Sequence, residues 1–374
     1  MQAPAPRSAG IISRPRSSER TRNALPPAKG RRVRRIFGPR RSRVDEKRRM
    51  SRILITGAAG FIGSHLTRTC LDARHEVHVV VRPGSEDSRL EAVDGAFIRH
   101  NFDLQSDDAM RRCLQEVEPE IVFHLAARTR RREEAELNDA KAGIREHLNA
   151  LLGLLGAASA LRHPPRKIIR TGSLAEYGAT PAPYEEDSRE IPVNAYGAEL
   201  TAATHFIGGL QARLPFPVIT ARLALVFGPR QSTEFMIPSF IERCLAGQRC
   251  LVRHPSDRRD LLYVDDVVEA LLRIADAPVS TRLVNVATGI APPMREVARL
   301  IVEQTGADPA LIEYGSATST GGIRDFRAAP GRAKDLFGWS ARIPFAEGLA
   351  RTIAWHRAVV PPASTDGHAT RKTV

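Results

Sequence analysis

Apolar residues along positions 52–225 fall into short runs separated by longer stretches with helical spacing. Arg52–Thr56, Glu76–Val81, Glu120–Leu125, Lys167–Thr171 and Pro217–Leu225 are rich in Ile, Val, Leu and Phe and read as strands, with a shorter one at Ala96–His100. Phe61–Ala73, Asp107–Glu116, Ala140–Leu161 and Tyr196–Leu210 carry apolar residues at helical intervals between them. Strands alternating with helices predict βαβ units, and hence a parallel sheet covered on both faces. The expected fold class is α/β, a doubly wound parallel sheet. From Phe227 to about His356 the pattern loosens into Pro- and Gly-punctuated short elements, which predicts a smaller mixed α/β lobe. The sequence thus divides into a main domain at 50–226, rejoined by 261–277, a second lobe from 227–260 and 278–358, and a flexible tail at 359–374. No apolar run approaches the roughly 18 residues of a membrane span.

The formal charge of +14 sits almost entirely at one end. Residues 1–50 hold sixteen Lys or Arg against three Asp or Glu, leaving 40 basic and 39 acidic residues in the remainder. A basic-protein argument therefore applies to the first segment and not to the folded part. Residues 1–49 have no apolar periodicity and are expected to be disordered. Three readings stay open for them: a polyanion-binding tail, a transit-like peptide, or sequence upstream of a start at Met50. Nucleic-acid binding is expected through this tail or not at all.

Cys70, Cys113, Cys244 and Cys250 form no C-x-x-C pair, and no histidine cluster accompanies them. No metal site is predicted, and reduced thiols point to a cytoplasmic protein.

The chemistry starts at Gly57-Ala-Ala-Gly60-Phe61-Ile62-Gly63, which follows the first strand and opens the first helix. Gly57 permits a tight turn, Gly60 allows close backbone approach to a pyrophosphate, and Gly63 lets helix and sheet pack closely. The helix N-terminus adds free N–H groups and the positive end of its dipole. In this context the pattern predicts a Rossmann dinucleotide-binding domain.

That loop, with Val122-Phe-His-Leu-Ala-Ala127, resembles the extended short-chain dehydrogenase/reductases. More narrowly it resembles the NAD-dependent epimerase/dehydratase family that modifies nucleotide sugars. Later markers agree: Thr171-Gly-Ser-Leu-Ala-Glu-Tyr-Gly178, Tyr196-Gly-Ala, Arg222 before Val226-Phe-Gly-Pro229, Arg259-Asp260 before Tyr263-Val-Asp-Asp266, Asn285-Val-Ala-Thr-Gly289 and Gly338-Trp339. The resemblance spans about Arg52 to His356. It implies a nucleotide-sugar substrate, a nicotinamide cofactor and a homodimer formed through the helices near 140–161 and 196–210.

The second strand ends Val80-Val81-Arg82-Pro83. An acid at this point would hold the ribose hydroxyls of NAD, whereas an arginine accepts a 2′-phosphate, so Arg82 favours NADP over NAD. The resemblance puts Asp103 and Leu104 beside the adenine and Leu125, Ala126 and Ala127 along the cofactor cleft. It also assigns proton transfer to Tyr196, which borders the cofactor, and substrate hydrogen bonding to Ser173. Arg259 would meet the diphosphate, with Arg128 a further substrate-side candidate. Arg230 and Arg327 are more simply read as solvated.

In the family a lysine one helical turn after the tyrosine holds the ribose and lowers the tyrosine pKa. That position here is Leu200, and the adjacent Glu199 acts in the opposite direction. Proton transfer is therefore expected to be slow unless an arginine such as Arg128 or Arg170 substitutes, or else the protein binds its cofactor without turnover. Dehydratases of the family carry an acidic pair where this chain has Leu174 and Ala175. The string Ser173-Leu-Ala-Glu-Tyr-Gly178 resembles 4-ketoreductases of nucleotide-linked deoxy-hexoses. Ketoreduction is the leading expectation, with 4-epimerisation and a non-catalytic cofactor-binding role as alternatives. Asp265 and Asp266 are expected to cap a helix beginning near Val267.

Overall fold

A computed structural model describes residues 50–129, 137–279, 281–315 and 323–359. The tail at 1–49 and the residues after Val359 lie outside that set.

Six strands are β1 (Arg52–Thr56), β2 (Glu76–Val81), β3 (Ile98–Asn101), β4 (Ile121–His124), β5 (Lys167–Ser173) and β6 (Val218–Leu223). Shorter ones follow at β7 (Leu225–Phe227), β8 (Cys250–Val252), β9 (Arg258–Arg259), β10 (Leu261–Tyr263), β11 (Leu283–Val286), β12 (Ile312–Tyr314) and β13 (Asp325–Phe326). The helices are α1 (Phe61–Asp72), α2 (Asp107–Val117), α3 (Asn138–Gly143), α4 (Ala150–Ser159), α5 (Ala195–Leu210), α6 (Met236–Leu245), α7 (Val264–Asp276), α8 (Met294–Thr305), α9 (Gly331–Phe337) and α10 (Phe345–Val359).

The main sheet has seven strands in the order β11-β6-β5-β4-β1-β2-β3, all parallel. Its strands are apolar without alternation because both faces are covered. Val77, Val79 and Val81 of β2 face a core with Leu66 and Cys70 of α1, Leu271 and Ile274 of α7, and Phe337 of α9. Leu54, Val122, Ile168 and Val218 face the opposite side, against α2, α4 and α5. A third core joins α6, α8 and α10 around Phe227 and Tyr263. The order of strand addition reverses between β1 and β4, and such a switch point opens a crevice beyond the strands' carboxyl ends. Among the described residues no helix is long and apolar enough to cross a membrane.

Three expectations need correction. Residues 278–358 are not wholly a second lobe: β11 is the seventh strand of the main sheet, paired with β6, and α9 packs on the sheet's core. All four β11 residues are buried, so this short apolar run completes the sheet. Conversely β7 and β10, read as parts of the main domain, pair with each other outside it. The single strand expected at Pro217–Leu225 therefore breaks at Ala224. The long helix at 140–161 is three consecutive segments, with a π-helical stretch at Ile144–Asn149 between α3 and α4. Such stretches recur at functional sites, and this one carries His147 into the interior.

Candidate functional site

The glycines between β1 and α1 are required by contact distances. Gly57 has φ of 73°, and a Cβ there would stand 2.6 Å from the Ala126 nitrogen after β4. A Cβ on Gly63 would stand 2.1 Å from the Gly57 carbonyl oxygen. The two sides of the switch point thus touch through bare backbone. Gly60 is the N-cap of α1 and provides no side-chain cap, and the first turn holds no acid. Its N–H groups remain for an anionic ligand. Replacing Gly63 by Ala must push helix and loop apart. We expect dinucleotide affinity at least about tenfold lower and a loss of ~1–3 kcal/mol of stability. Cofactor titration and denaturant unfolding check this, and unchanged affinity would refute the role given to the loop.

Beside this loop lies a cleft of about 430 Å³. The structure gathers there Gly57, Gly60, Arg82, Asp103, Leu104, Leu125, Ala126, Ala127 and Arg128, together with Ser85, Glu86, Arg89, Glu146 and His147. The latter five were not found from sequence. Ser85, Glu86 and Arg89 lie in a polar loop with no periodicity to single them out, and His147 sat inside a helical pattern. Phe61 and Ile62 have side chains turned elsewhere: Phe61 packs on the third core and Ile62 on the core beneath α1. They can offer the cleft only their backbone. The residues present suit a dinucleotide, with uncapped N–H groups at the pyrophosphate end, apolar Leu104 and Leu125 along the walls, and Arg82 and Arg89 at the β2 end.

Tyr196 is held by a capped helix start. Asn194 Oδ1 accepts the Gly197 N–H at 2.8 Å, which fixes the first turn of α5. Ser173 ends β5, and its hydroxyl is one of the groups that lower the Tyr196 pKa. Ser173 is itself fixed, since its N–H donates to Glu176 Oε1 at 3.1 Å and its Oγ accepts from Ala175 N at 3.1 Å. Burial, aided by the charges of Glu176 and Glu199, pushes the Tyr196 pKa up to about 12, while Arg170 and Ser173 pull it down. Leu200, one turn on, is buried.

A polar row crosses the sheet beneath this site. Strand register aligns Thr56 with His124, His124 with Arg170, and Arg170 with Thr220. Thr56 Oγ1 and His124 Nδ1 are 2.8 Å apart. Burial and the Arg170 charge hold His124 neutral, with a pKa of about 3. Arg170 is buried, donating from Nη1 to Thr204 Oγ1 at 3.1 Å and from Nη2 to the Leu200 carbonyl at 3.3 Å. Deeper in, Arg222 meets Glu176 at 2.9 Å and Glu190 at 2.5 Å. His147 Nδ1 stands 2.9 Å from Glu199 Oε1, and its Nε2 accepts the Arg128 N–H at 2.9 Å. This ties the loop after β4 to α5.

Arg259 is not among the residues lining the cleft. Its guanidinium is committed to Asp257 at 2.7 Å and to the carbonyls of Arg258 and Arg324, where it secures the β9–β13 pairing. Asp266 does not cap its own helix. The helix begins at Val264, and the Asp266 carboxylate accepts the N–H groups of Arg342 and Ile343 at 3.1 and 3.0 Å.

Residues 53–287 match the profile of the NAD dependent epimerase/dehydratase family. The UDP-glucose 4-epimerase of Mycolicibacterium smegmatis is 31% identical over 319 residues, which cover 82% of this chain and 98% of the relative. The dTDP-glucose 4,6-dehydratase of Streptomyces griseus is 30% identical over 320 residues, covering 81% and 93% respectively. Among solved structures, the UDP-glucose 4-epimerase of Thermus thermophilus in complex with NAD aligns with a TM-score of 0.72 at 26% identity, over 83% of this chain and 100% of that one.

Proposed function

Because this chain belongs to the NAD dependent epimerase/dehydratase family, we propose that it interconverts a ketone and an alcohol on a nucleotide-linked sugar, with ketone reduction as the working direction. The direction is supported by the stretch after Ser173, where Leu174 and Ala175 offer no acid for dehydration, and is consistent with a Tyr196 phenol that burial keeps protonated at neutral pH. A phenol in that state donates a proton; it does not accept one. A bound nicotinamide supplies the hydride. Ser173 hydrogen-bonds the sugar oxygen, and Tyr196 gives that oxygen its proton. Dehydration lacks a free acid here. Leu174 and Ala175 are apolar, and the nearby Glu176 is buried in its pair with Arg222.

Arg82 and Arg89 at the β2 end of the cleft support NADP as the cofactor. A planar guanidinium matches phosphate oxygens. Glu86 lines the same end and would favour the ribose hydroxyls of NAD, so the choice lies between these groups. A second reading, 4-epimerisation, is supported by the near-complete coverage of the mycobacterial epimerase. Binding without turnover draws its support from Leu200, an apolar residue at the position where the resemblance places a lysine.

The deciding experiment supplies NADPH or NADH with a nucleotide-linked 4-keto-6-deoxyhexose, and separately with UDP-glucose. Ketoreduction predicts stoichiometric consumption of reduced cofactor, faster with NADPH. Its rate should be flat through neutral pH, because the required proton is already on Tyr196. The reverse oxidation needs the tyrosinate and should rise about tenfold per pH unit below the tyrosine pKa. Formation of UDP-galactose with no net cofactor change would replace this reading by epimerisation. Tight cofactor binding with neither reaction would leave binding alone.

A further inference from the structure

We propose that Arg170 is the positioning residue that gives Tyr196 its cation, delivered from the sheet and not from the helix that carries the tyrosine. The inference rests on Tyr196 as the proton-transfer group, and its own test does not require turnover. Tyr196 is surrounded by charge and polarity of mixed sign: Arg170 and Ser173 from β5, Glu176 from the turn after it, Glu199 from α5, and the His147 ring from the π-helical stretch, 6.4 Å away edge-to-face. Glu199 lies 2.9 Å from His147, whose Nε2 accepts the Arg128 N–H, and Glu176 pairs with Arg222 at 2.9 Å. Among the described residues Arg170 makes no direct side-chain ion pair; Glu176 acts on it from beyond Thr204, whose hydroxyl donates to Glu176 Oε2 at 2.7 Å. The direct partners of Arg170 are the neutral Thr204 hydroxyl and the Leu200 carbonyl. His124, beside it in the strand register, is neutral and does not compete.

The bond to the Leu200 carbonyl places the guanidinium against the backbone of the turn that follows Tyr196. A lysine at position 200 would approach the same space from the helix. The position of Arg170 at the middle of β5 explains how an apolar residue at 200 is tolerated. The charge is already there, buried where solvent screens it little. A cation in such a place favours ionisation of a phenol and makes it a better proton donor. During reduction the phenolic proton passes to the sugar carbonyl oxygen while that carbonyl carbon receives hydride from the reduced nicotinamide, leaving tyrosinate beside Arg170.

The test is a double-mutant cycle on the whole chain with Arg170→Gln, Arg170→Lys, Leu200→Lys and the Arg170→Gln/Leu200→Lys pair. The first readout is the near-ultraviolet tyrosinate absorbance at about pH 11, each variant compared with its Tyr196→Phe counterpart so that the other tyrosines cancel. Arg170→Gln should lower the Tyr196 tyrosinate fraction several-fold. The lysine variants are read by kcat at neutral pH, because a lysine amine is largely uncharged at pH 11: there Arg170→Lys should keep most of the wild-type rate, and Leu200→Lys should restore it in the Arg170→Gln background. In the wild-type background Leu200→Lys should change little. The second readout is kinetic: Arg170→Gln lowers kcat by about tenfold with KM and cofactor affinity unchanged. A tyrosinate fraction unaffected by Arg170→Gln overturns the proposal. If that variant fails to fold, a gain of tenfold or so from Leu200→Lys alone overturns it instead, because the charge was then missing. Absence of nucleotide-sugar turnover in the wild type would count against the proposed reaction and leave the tyrosinate readout to decide on Arg170.

Discussion

Tyr196→Phe should lower turnover by about 10²–10⁴-fold, the range that a positioned proton donor contributes, while cofactor affinity stays at the wild-type level. The expectation follows from separation of roles in the site. The cleft that would hold the dinucleotide is walled by Gly57, Gly60, Leu104, Leu125 and Ala126, and none of them depends on a phenolic oxygen. Phe keeps the ring that stands edge-to-face with His147 and loses only the hydroxyl. Steady-state rates and a cofactor titration on the same preparation separate the two effects. Wild-type turnover in Tyr196→Phe would remove this residue from the chemistry. A parallel fall in cofactor affinity would mean that the hydroxyl binds the cofactor as well.

Arg222→Met should cost about 3–5 kcal/mol of stability, as expected when one partner of a buried ion pair is removed and the other is left without compensation. Arg222 is fully buried. Burial alone would lower its pKa, but Glu176, Tyr177 and Glu190 hold it above the ordinary value. Its guanidinium stacks 4.4 Å from the Tyr177 ring centre and bonds Glu176 and Glu190. Met fills much of the volume yet strands both carboxylates. Glu176 is also the group that holds Ser173 N–H and accepts from Thr204 Oγ1 at 2.7 Å, so activity should fall with stability. Denaturant unfolding gives the energy. A loss below about 1 kcal/mol would show that the carboxylates find protons or water at little cost.

These two residues differ in how far they could be read in advance. Tyr196 stands in a recognisable string at the start of a predicted helix. Arg222 appeared as a marker residue in an apolar strand, but nothing local says that it pairs with Glu176 and Glu190. The partners come from a turn and a loop that only the folded chain brings beside β6. Arg259 shows the reverse case. Its motif suggested a phosphate, and the structure shows it bound to Asp257 and two carbonyls. An arginine's identity does not reveal which acceptors it will meet, because that depends on neighbours remote in sequence.

The elements themselves were legible because their causes are local. β1 and β2 have the bounds expected from their apolar runs, and α1 starts where the glycine loop ends. The doubly wound parallel sheet follows from that alternation, and membership of the epimerase/dehydratase family follows from motifs carried on its loops. Strand order at the far edge did not follow. β11 is four residues long, too short for a pattern to assign it to one sheet or another. The electrostatics of the site were decided by tertiary structure alone. Leu200 offers no charge one helical turn after Tyr196. The register of β4, β5 and β6, with α5 packed across it, puts Arg170 against the Leu200 carbonyl. Backbone periodicity is set over a few neighbouring residues, whereas the charge felt by a buried phenol is set by whatever the packed core brings within a few ångströms.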